Sequence, residues 1–176
     1  MQIPDDIRKS VAFVCYHATT GSDALSLAGT AFYVIVPSEV KYTFGYIVAA
    51  KHVIVGIQQK SVDGNVFIRA NCNDGTSSII QSLVSDWKFH PDDPSVDVAV
   101  MPGFLAQDVF DTRPISVETA ATNTVINEHR IGAGDEVFLA GLFVNHFGRD
   151  RNLPIIRTGN IALIPENQYM SENLGR

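Results

Sequence analysis

The sequence predicts an all-β protein whose strands fall into two groups. Its apolar runs are short, rich in β-branched and aromatic residues, and separated by turn-forming residues, which is typical of strands. Hydrophobic residues make up 45% and charged residues 18% of the 176-residue chain, proportions that suit a compact, loop-rich protein. Six apolar runs come first and two follow after a connecting stretch. This order indicates a β architecture in two parts.

Six strand candidates make up the first group. Asp63-Gly64 and Asn73-Asp74-Gly75 lie between neighbouring candidates, and such sequences favour the positive φ angles of tight turns. The six candidates are residues 11–17, 29–36, 46–50, 65–71, 78–85 and 96–101.

The second group begins after a connecting stretch. Residues 122–129 predict a short helix, with Thr122 or Asn123 as its N-cap and Gly132 ending it. The two strand candidates that follow are residues 136–143 and 155–164. The predicted domains are residues 1–104 and 114–176, joined by a linker over 105–113.

Charge and hydropathy exclude several classes of partner. The chain has 13 basic and 19 acidic residues, a net charge of −6, and no basic stripe, which argues against nucleic acid and anionic membranes. No apolar stretch is long enough for a transmembrane helix. The N-terminus lacks the apolar region of a secretory signal. We therefore expect a cytoplasmic protein.

Neither the cysteines nor the histidines predict a metal or cofactor. Cys15 and Cys72 lack a CxxC pattern and are expected to be small buried hydrophobes, with a disulfide as the alternative. No HExxH spacing and no glycine-rich phosphate motif is present. We expect no cofactor and no metal. The five histidines are His17, His52, His90, His129 and His146.

His52 is the first candidate for chemistry. It follows an apolar strand candidate that ends in the small residues Ala49-Ala50. Such an ending lets the next side chain project from the strand end into a cleft. The alternative is a histidine whose hydrogen bonds serve only the structure of the strand end.

Asp97 is the second candidate. It opens the apolar run Val98-Ala99-Val100, and a charged group there must be solvated, cap backbone or be paired. As a functional residue it would be a buried carboxylate that accepts the Nδ1 proton of His52 and fixes the tautomer of the ring. The alternative is a turn residue, and the neighbouring Asp92 and Asp93 are expected to be solvated loop acids.

Four blocks of sequence stand in a recognisable order. They are Gly29-Thr30-Ala31-Phe32-Tyr33-Val34, Ile47-Val48-Ala49-Ala50-Lys51-His52-Val53, Trp87…His90-Pro91…Asp97-Val98-Ala99-Val100, and Gly134-Asp135-Glu136-Val137-Phe138-Leu139-Ala140-Gly141 followed by Pro154-Ile155-Ile156-Arg157-Thr158-Gly159-Asn160-Ile161-Ala162. Together they resemble the trypsin-like (chymotrypsin-fold) serine peptidases in their cysteine-poor, mainly prokaryotic form. Lys51 departs from the Ala that many relatives carry.

The resemblance implies a fold and a reaction. The fold would be a chymotrypsin-like double β-barrel, with the first barrel complete and the second partial. The reaction would be hydrolysis of peptide bonds in a peptide or protein substrate through an acyl-enzyme, with His52 as general base and Asp97 as its orienting acid.

The family's nucleophile is missing from the sequence. No Gly-x-Ser-Gly follows the second group of strands, and the oxyanion-hole donors belong to that same segment. Ser171 has no neighbouring glycines, and Ser77, Ser78 and Cys72 precede Asp97, which is the wrong order for the family. We therefore expect a truncated serine endopeptidase domain that is inactive alone.

Two alternatives remain open at this stage. A non-catalytic, protease-like module could bind partners, or another copy of itself, through the open strand edges of the partial second barrel. An unrelated β-sandwich could carry the motifs by coincidence. That second alternative predicts that His52 and Asp97 lie more than roughly 8 Å apart, beyond the ~3 Å reach of a hydrogen bond.

Overall fold

The computed structural model describes residues 3–39, 42–103 and 105–164, and within them the chain is mostly β. Ser171, residue 104 at the predicted domain boundary and the end of the predicted second domain lie outside the described residues. The strands are β1 (Val11–His17), β2 (Leu25–Pro37), β3 (Thr43–Ala49), β4 (Asn65–Asn71), β5 (Ser77–Leu83), β6 (Lys88–Phe89), β7 (Ala99–Pro102), β8 (Ile115–Ser116), β9 (Glu136–Gly141) and β10 (Ile155–Asn160). The helices are α1 (Asp6–Lys9), α2 (Lys51–Lys60) and α3 (Asn123–Glu128), with 3₁₀ turns at Val84–Asp86, Val117–Thr119 and Val144–His146.

Eight strands form one curled, half-barrel sheet. Its order is β5-β4-β1-β2-β3-β7-β6, and β8 pairs with β2 in parallel while the other pairs are antiparallel. The two ends of this path, β5 and β6, follow each other in the chain and are joined through the 3₁₀ turn Val84–Asp86. The chain itself therefore connects the two edges of the sheet.

The core lies on one face of this sheet. Strand side chains alternate between faces, and the inward residues of β1, β2, β3 and β4 form a single buried cluster. Ile54 and Ile57 of α2 belong to the same cluster, so the helix packs on the sheet, and Trp87 lies in it at 3% exposure. The inward strand residues are Ala12, Val14, Ala31, Tyr33, Ile47, Ala49, Val66, Ile68 and Ala70, together with Ala99 and Met101 of β7.

Both cysteines are buried, as the sequence predicts, and both are free thiols. Cys15 lies in β1, and Cys72 forms an isolated antiparallel bridge with Phe110. Burial raises the pKa of the Cys15 thiol to about 11, since a thiolate would lose its hydration there.

The predicted strands of the first group are present with altered ends. β1 and β4 have the predicted bounds, whereas β2 and β3 begin earlier. β7 begins at Ala99 and not at residue 96, because the preceding residues form a hydrogen-bonded loop.

The second group contains the predicted helix and hairpin. The Thr122 hydroxyl accepts the Val125 N–H at 3.3 Å, which confirms Thr122 as the N-cap of α3. Gly132 does not end the helix. Arg130 supplies the left-handed residue at φ 53°, and the Ile131 N–H closes onto the Ile126 carbonyl at 2.9 Å. β9 and β10 pair as a separate two-stranded sheet, shorter than the predicted strands.

The chain divides into two compact units. The first comprises the described residues up to Thr119 together with Ala140–Ile156, and the second comprises Ala120–Leu139 and the described residues from Arg157 onward. The predicted division was linear along the sequence, and the compact units are not. Residues 140–156 belong to the first unit because Leu142 donates its N–H to Thr30 Oγ1 at 2.8 Å and Asn152 hydrogen-bonds with Asn71.

Among the described residues, no helix combines the length and the apolar character needed to cross a membrane.

Candidate active site

His52 lies at the point where β3 ends and α2 begins. It is the second residue of α2, and Ala50, the N-cap, has extended backbone (φ −70°, ψ 136°) and no side chain able to cap the helix. The first N–H groups of a helix have no partner within it. An acceptor from elsewhere in the chain is therefore needed at this position.

Asp97 supplies that acceptor and also binds the His52 ring. Its Oδ1 accepts the backbone N–H of His52 at 2.8 Å, and its Oδ2 lies 2.6 Å from His52 Nδ1. An ionised carboxylate only accepts hydrogen bonds, so Nδ1 carries the proton. The two candidates are thus in direct contact, in contrast to the separation that the β-sandwich alternative predicts.

These contacts keep Asp97 ionised. The backbone N–H of His52 is the main cause of a lowered Asp97 pKa, and the hydrogen bond with the His52 ring adds to it. The carboxylate is therefore held in its charged, hydrogen-bond-accepting form.

The expectation of a buried carboxylate is wrong. The Asp97 side chain is 52% exposed and that of His52 is 73% exposed, because both lie on a surface formed by the loop before β7 and the first turn of α2. With Nδ1 held by Asp97, the other ring nitrogen, Nε2, has no hydrogen-bond partner within the described part of the chain.

A cavity of about 200 Å³ has His52 among its lining residues. β2 and α2 form its walls, and they approach closely because Gly29 of β2 has no side chain: a Cβ there would lie 2.9 Å from Val53 Cγ2. Besides His52, the cavity is lined by Tyr16, Leu27, Ala28, Val53, Gly56, Ile57 and Lys60.

The loop that contains Asp97 is ordered by its own polar groups. His90 Nδ1 accepts the N–H groups of Asp92 and Asp93 at 3.3 and 2.9 Å. Asp93 Oδ1 accepts both the N–H and the hydroxyl of Ser95, at 2.8 and 2.6 Å, and the hydroxyl contact is the main cause of a lowered Asp93 pKa. Asp93 is therefore a turn-forming acid, more ordered than the solvated loop acid that the sequence predicts.

The other nucleophile candidates have structural contacts. Ser77 Oγ accepts from Arg69 Nε at 2.9 Å and donates to the Asp150 carbonyl at 3.0 Å, away from His52 in the sheet order. Cys72 is buried. Within the described residues, no serine or cysteine hydrogen-bonds with the His52 ring.

A second histidine–aspartate pair was not predicted from the sequence. His17 Nδ1 lies 2.7 Å from Asp63 Oδ2, and the His17 ring packs on Phe67 with centroids 4.5 Å apart. Asp63 Oδ1 also accepts from the Ser61 hydroxyl at 2.8 Å and the Asn65 N–H at 3.0 Å. The pair is less exposed than His52–Asp97 and ties the end of β1 to the turn before β4. The sequence Asp63-Gly64 predicts only the turn. No sequence pattern links Asp63 with His17, which lies 46 residues away.

No group of three or more potential metal ligands occurs in residues 3–39, 42–103 and 105–164.

Comparison of the chain with protein-family models, with curated proteins and with solved structures gave no match. The geometry of the site is therefore the evidence for any function.

Proposed function

We propose that this chain contributes the general base and the orienting acid of a trypsin-like serine endopeptidase. The supporting observation is the 2.6 Å contact between His52 Nδ1 and Asp97 Oδ2, in an exposed pair whose histidine is one of the residues lining a cavity. Asp97 occupies Nδ1, so the lone pair of Nε2 is the one available to a reacting hydroxyl.

In this proposal His52 moves a proton and Asp97 holds the ring. Nε2 would take the proton of a serine hydroxyl as that oxygen attacks the peptide carbonyl, and would return it to the leaving amine. The ionised Asp97 would stabilise the imidazolium formed in between. Its second hydrogen bond, to the His52 backbone N–H, fixes the carboxylate relative to the ring.

The first-unit sheet suits the proposed barrel. Its order, with β5 and β6 joined by continuous chain, is what a six-stranded barrel requires if those two segments are one bent strand. We propose that β9 and β10 are the opening hairpin of a second barrel.

The nucleophile of such a peptidase would have to lie outside these 176 residues, since they contain no Gly-x-Ser-Gly. The chain alone should then have a competent base and no serine to activate. It should remain unlabelled by a fluorophosphonate probe.

The proposal is tested by imidazole-dependent hydrolysis of an activated ester, p-nitrophenyl acetate. His52→Ala and Asp97→Asn should each lower the histidine-dependent rate roughly 10-fold or more, because the oriented base is lost. His17→Ala and Asp63→Asn are matched controls, since they remove a hydrogen-bonded pair of the same chemistry. They should leave the rate unchanged.

Two results would contradict the proposal. An unaltered rate in His52→Ala would show that the ring is not a working base. Specific fluorophosphonate labelling of a serine in this chain would place a nucleophile where none is expected.

A binding module is the second candidate, and the β9–β10 sheet favours it. Within the described residues each of these strands pairs only with the other, which leaves two open edges. Val137, Phe138 and Leu139 of β9 are also exposed. A module of this kind predicts that His52→Ala has no effect on ester hydrolysis, so the same measurement separates the two candidates.

A further inference from the structure

We propose that Lys51 is a positioning residue that holds the Asp97 loop against the start of α2, so that the Asp97 carboxylate stays within reach of His52 Nδ1. The effect of Lys51 on catalysis rests on the proposed function. The contacts that Lys51 makes do not depend on that function.

Lys51 contacts the last turn of the loop at both of its ends, Pro94 and Asp97. Its Nζ donates to the Pro94 carbonyl at 2.8 Å, and its backbone N–H donates to the Asp97 carbonyl at 3.4 Å. The ammonium also lies 5.8 Å from the centre of the Phe89 ring, within cation–π range. One residue therefore joins the start of the helix to the end of β6 and to both ends of the turn.

The loop has few other connections to the helix. His90, Asp93 and Ser95 hydrogen-bond within the loop and fix its internal shape. In the described part of the chain, the hydrogen bonds between residues 94–97 and α2 come from Lys51 and His52 alone. Without the Lys51 ammonium, the turn would be connected to α2 only by the Lys51 backbone N–H and by the contacts of His52 with the Asp97 carboxylate.

Helix stability does not explain a lysine at this position. The first turn of a helix favours acidic side chains, because its free N–H groups carry partial positive charge, and a lysine there is unfavourable. Lys51 is the first residue of α2. Its ammonium offsets that disadvantage by donating to the loop, which indicates that the contact with the Asp97 turn is its role.

The test observes which nitrogen of His52 carries the proton, by NMR of the ¹⁵N-labelled full chain in alkaline buffer. Because the pair is exposed, the proton itself exchanges with water, so the tautomer is measured from the ring ¹⁵N shifts through the carbon-bound ring protons, and the signal of interest is that of the Nδ1–H tautomer. Lys51→Met keeps the aliphatic stem and removes the donor, so this signal should be lost in favour of the tautomer mixture of a free imidazole. Lys51→Arg should retain it, because the guanidinium can still donate to the Pro94 carbonyl.

The matched control is Lys88→Met. Lys88 also donates its ammonium to a backbone carbonyl, that of Ser85 at 3.1 Å, away from the Asp97 turn, so the signal should persist. The backbone amide spectrum verifies folding in every variant, and Lys51→Gln repeats the test with a polar, uncharged side chain.

The outcomes distinguish a failure of the proposed role of Lys51 from a failure of the proposed function. A signal that persists in Lys51→Met and vanishes in Asp97→Asn would overturn the role of Lys51 and leave the His52–Asp97 pair intact. A signal that persists in Asp97→Asn, or is missing from the wild type, would overturn both the pair and the proposed function.

Discussion

Asp97 performs two tasks with one carboxylate. One oxygen satisfies a helix N–H, and the other orients a histidine ring. A purely structural cap needs only the first contact. The second contact, made with the exposed side chain of a residue that lines a cavity, is what favours a chemical role.

The lowered pKa of Asp97 predicts how stability depends on pH. The folded state holds the carboxylate in its charged form, so this group stabilises the fold above its unfolded pKa of about 4. That stabilisation is lost as the pH falls through the lower pKa of the folded state. The difference in unfolding free energy between wild type and Asp97→Asn should therefore be largest at neutral pH and disappear in strong acid, as measured by urea denaturation.

Asp92→Asn is the control for this measurement. The Asp92 carboxylate makes no hydrogen bond or ion pair within the described residues. Its replacement should leave the unfolding free energy nearly constant across the same pH range. A wild-type advantage over Asp97→Asn that grows in acid would contradict the assigned contacts.

At the scale of elements, α2 and β2 position the site together. α2 starts directly after β3 and lays Ile54 and Ile57 on the sheet, which fixes the direction of its first turn. Gly29 lets β2 approach Val53, the residue next to His52.

Gly29→Ala should therefore destabilise the fold by about 1–3 kcal/mol, because the added methyl group overpacks against the branched, inflexible Val53 side chain. Thermal and urea denaturation measure the change. Gly56→Ala is the control, since a Cβ there meets nothing within 4 Å and α2 should gain helix propensity. Equal stability of Gly29→Ala and wild type would contradict the close approach.

The sequence predicted the strands of the sheet better than it predicted α2, the helix that positions His52. β1 and β4 alternate or run apolar between clear turns, and their bounds were predicted. α2 was not predicted, because Val53-Ile54-Val55 has the β-branched composition of a strand and Gly56 interrupts the helix pattern. Only packing of Ile54 and Ile57 on the sheet makes a helix there favourable.

The contacts of Asp97 also show the limit of the sequence. Its proximity to His52 followed from a family resemblance, whereas its exposure and its contact with the helix N–H depend on loop geometry that no spacing rule encodes. The role of Lys51 has the same origin, since its acceptor is a backbone carbonyl 43 residues away.

At the scale of the whole molecule, the buried apolar residues are confined to the first unit. The buried hydrophobic residues of the described chain all precede Gly103, and the second unit contributes none of them. Burial of apolar surface is the main source of folding stability.

Limited proteolysis with proteinase K should therefore cut first within Ala120–Leu139 and leave the residues before Thr119 intact for longer, with fragments identified by mass spectrometry. The loop over residues 90–98 is the internal comparison, because it is largely exposed but is hydrogen-bonded both within itself and to α2. Earlier cutting in that loop than in the second unit would contradict this order.

The two buried, free thiols have a practical consequence for the study of unfolding. Cys15 lies in β1, which pairs with strands on both sides, and Cys72 lies just beyond the end of β4. A thiol reagent can reach them only when the sheet opens. The reaction rate of Cys15 therefore measures the opening of the sheet at β1, and the rate of Cys72 measures its opening at the end of β4. No label has to be introduced into the protein.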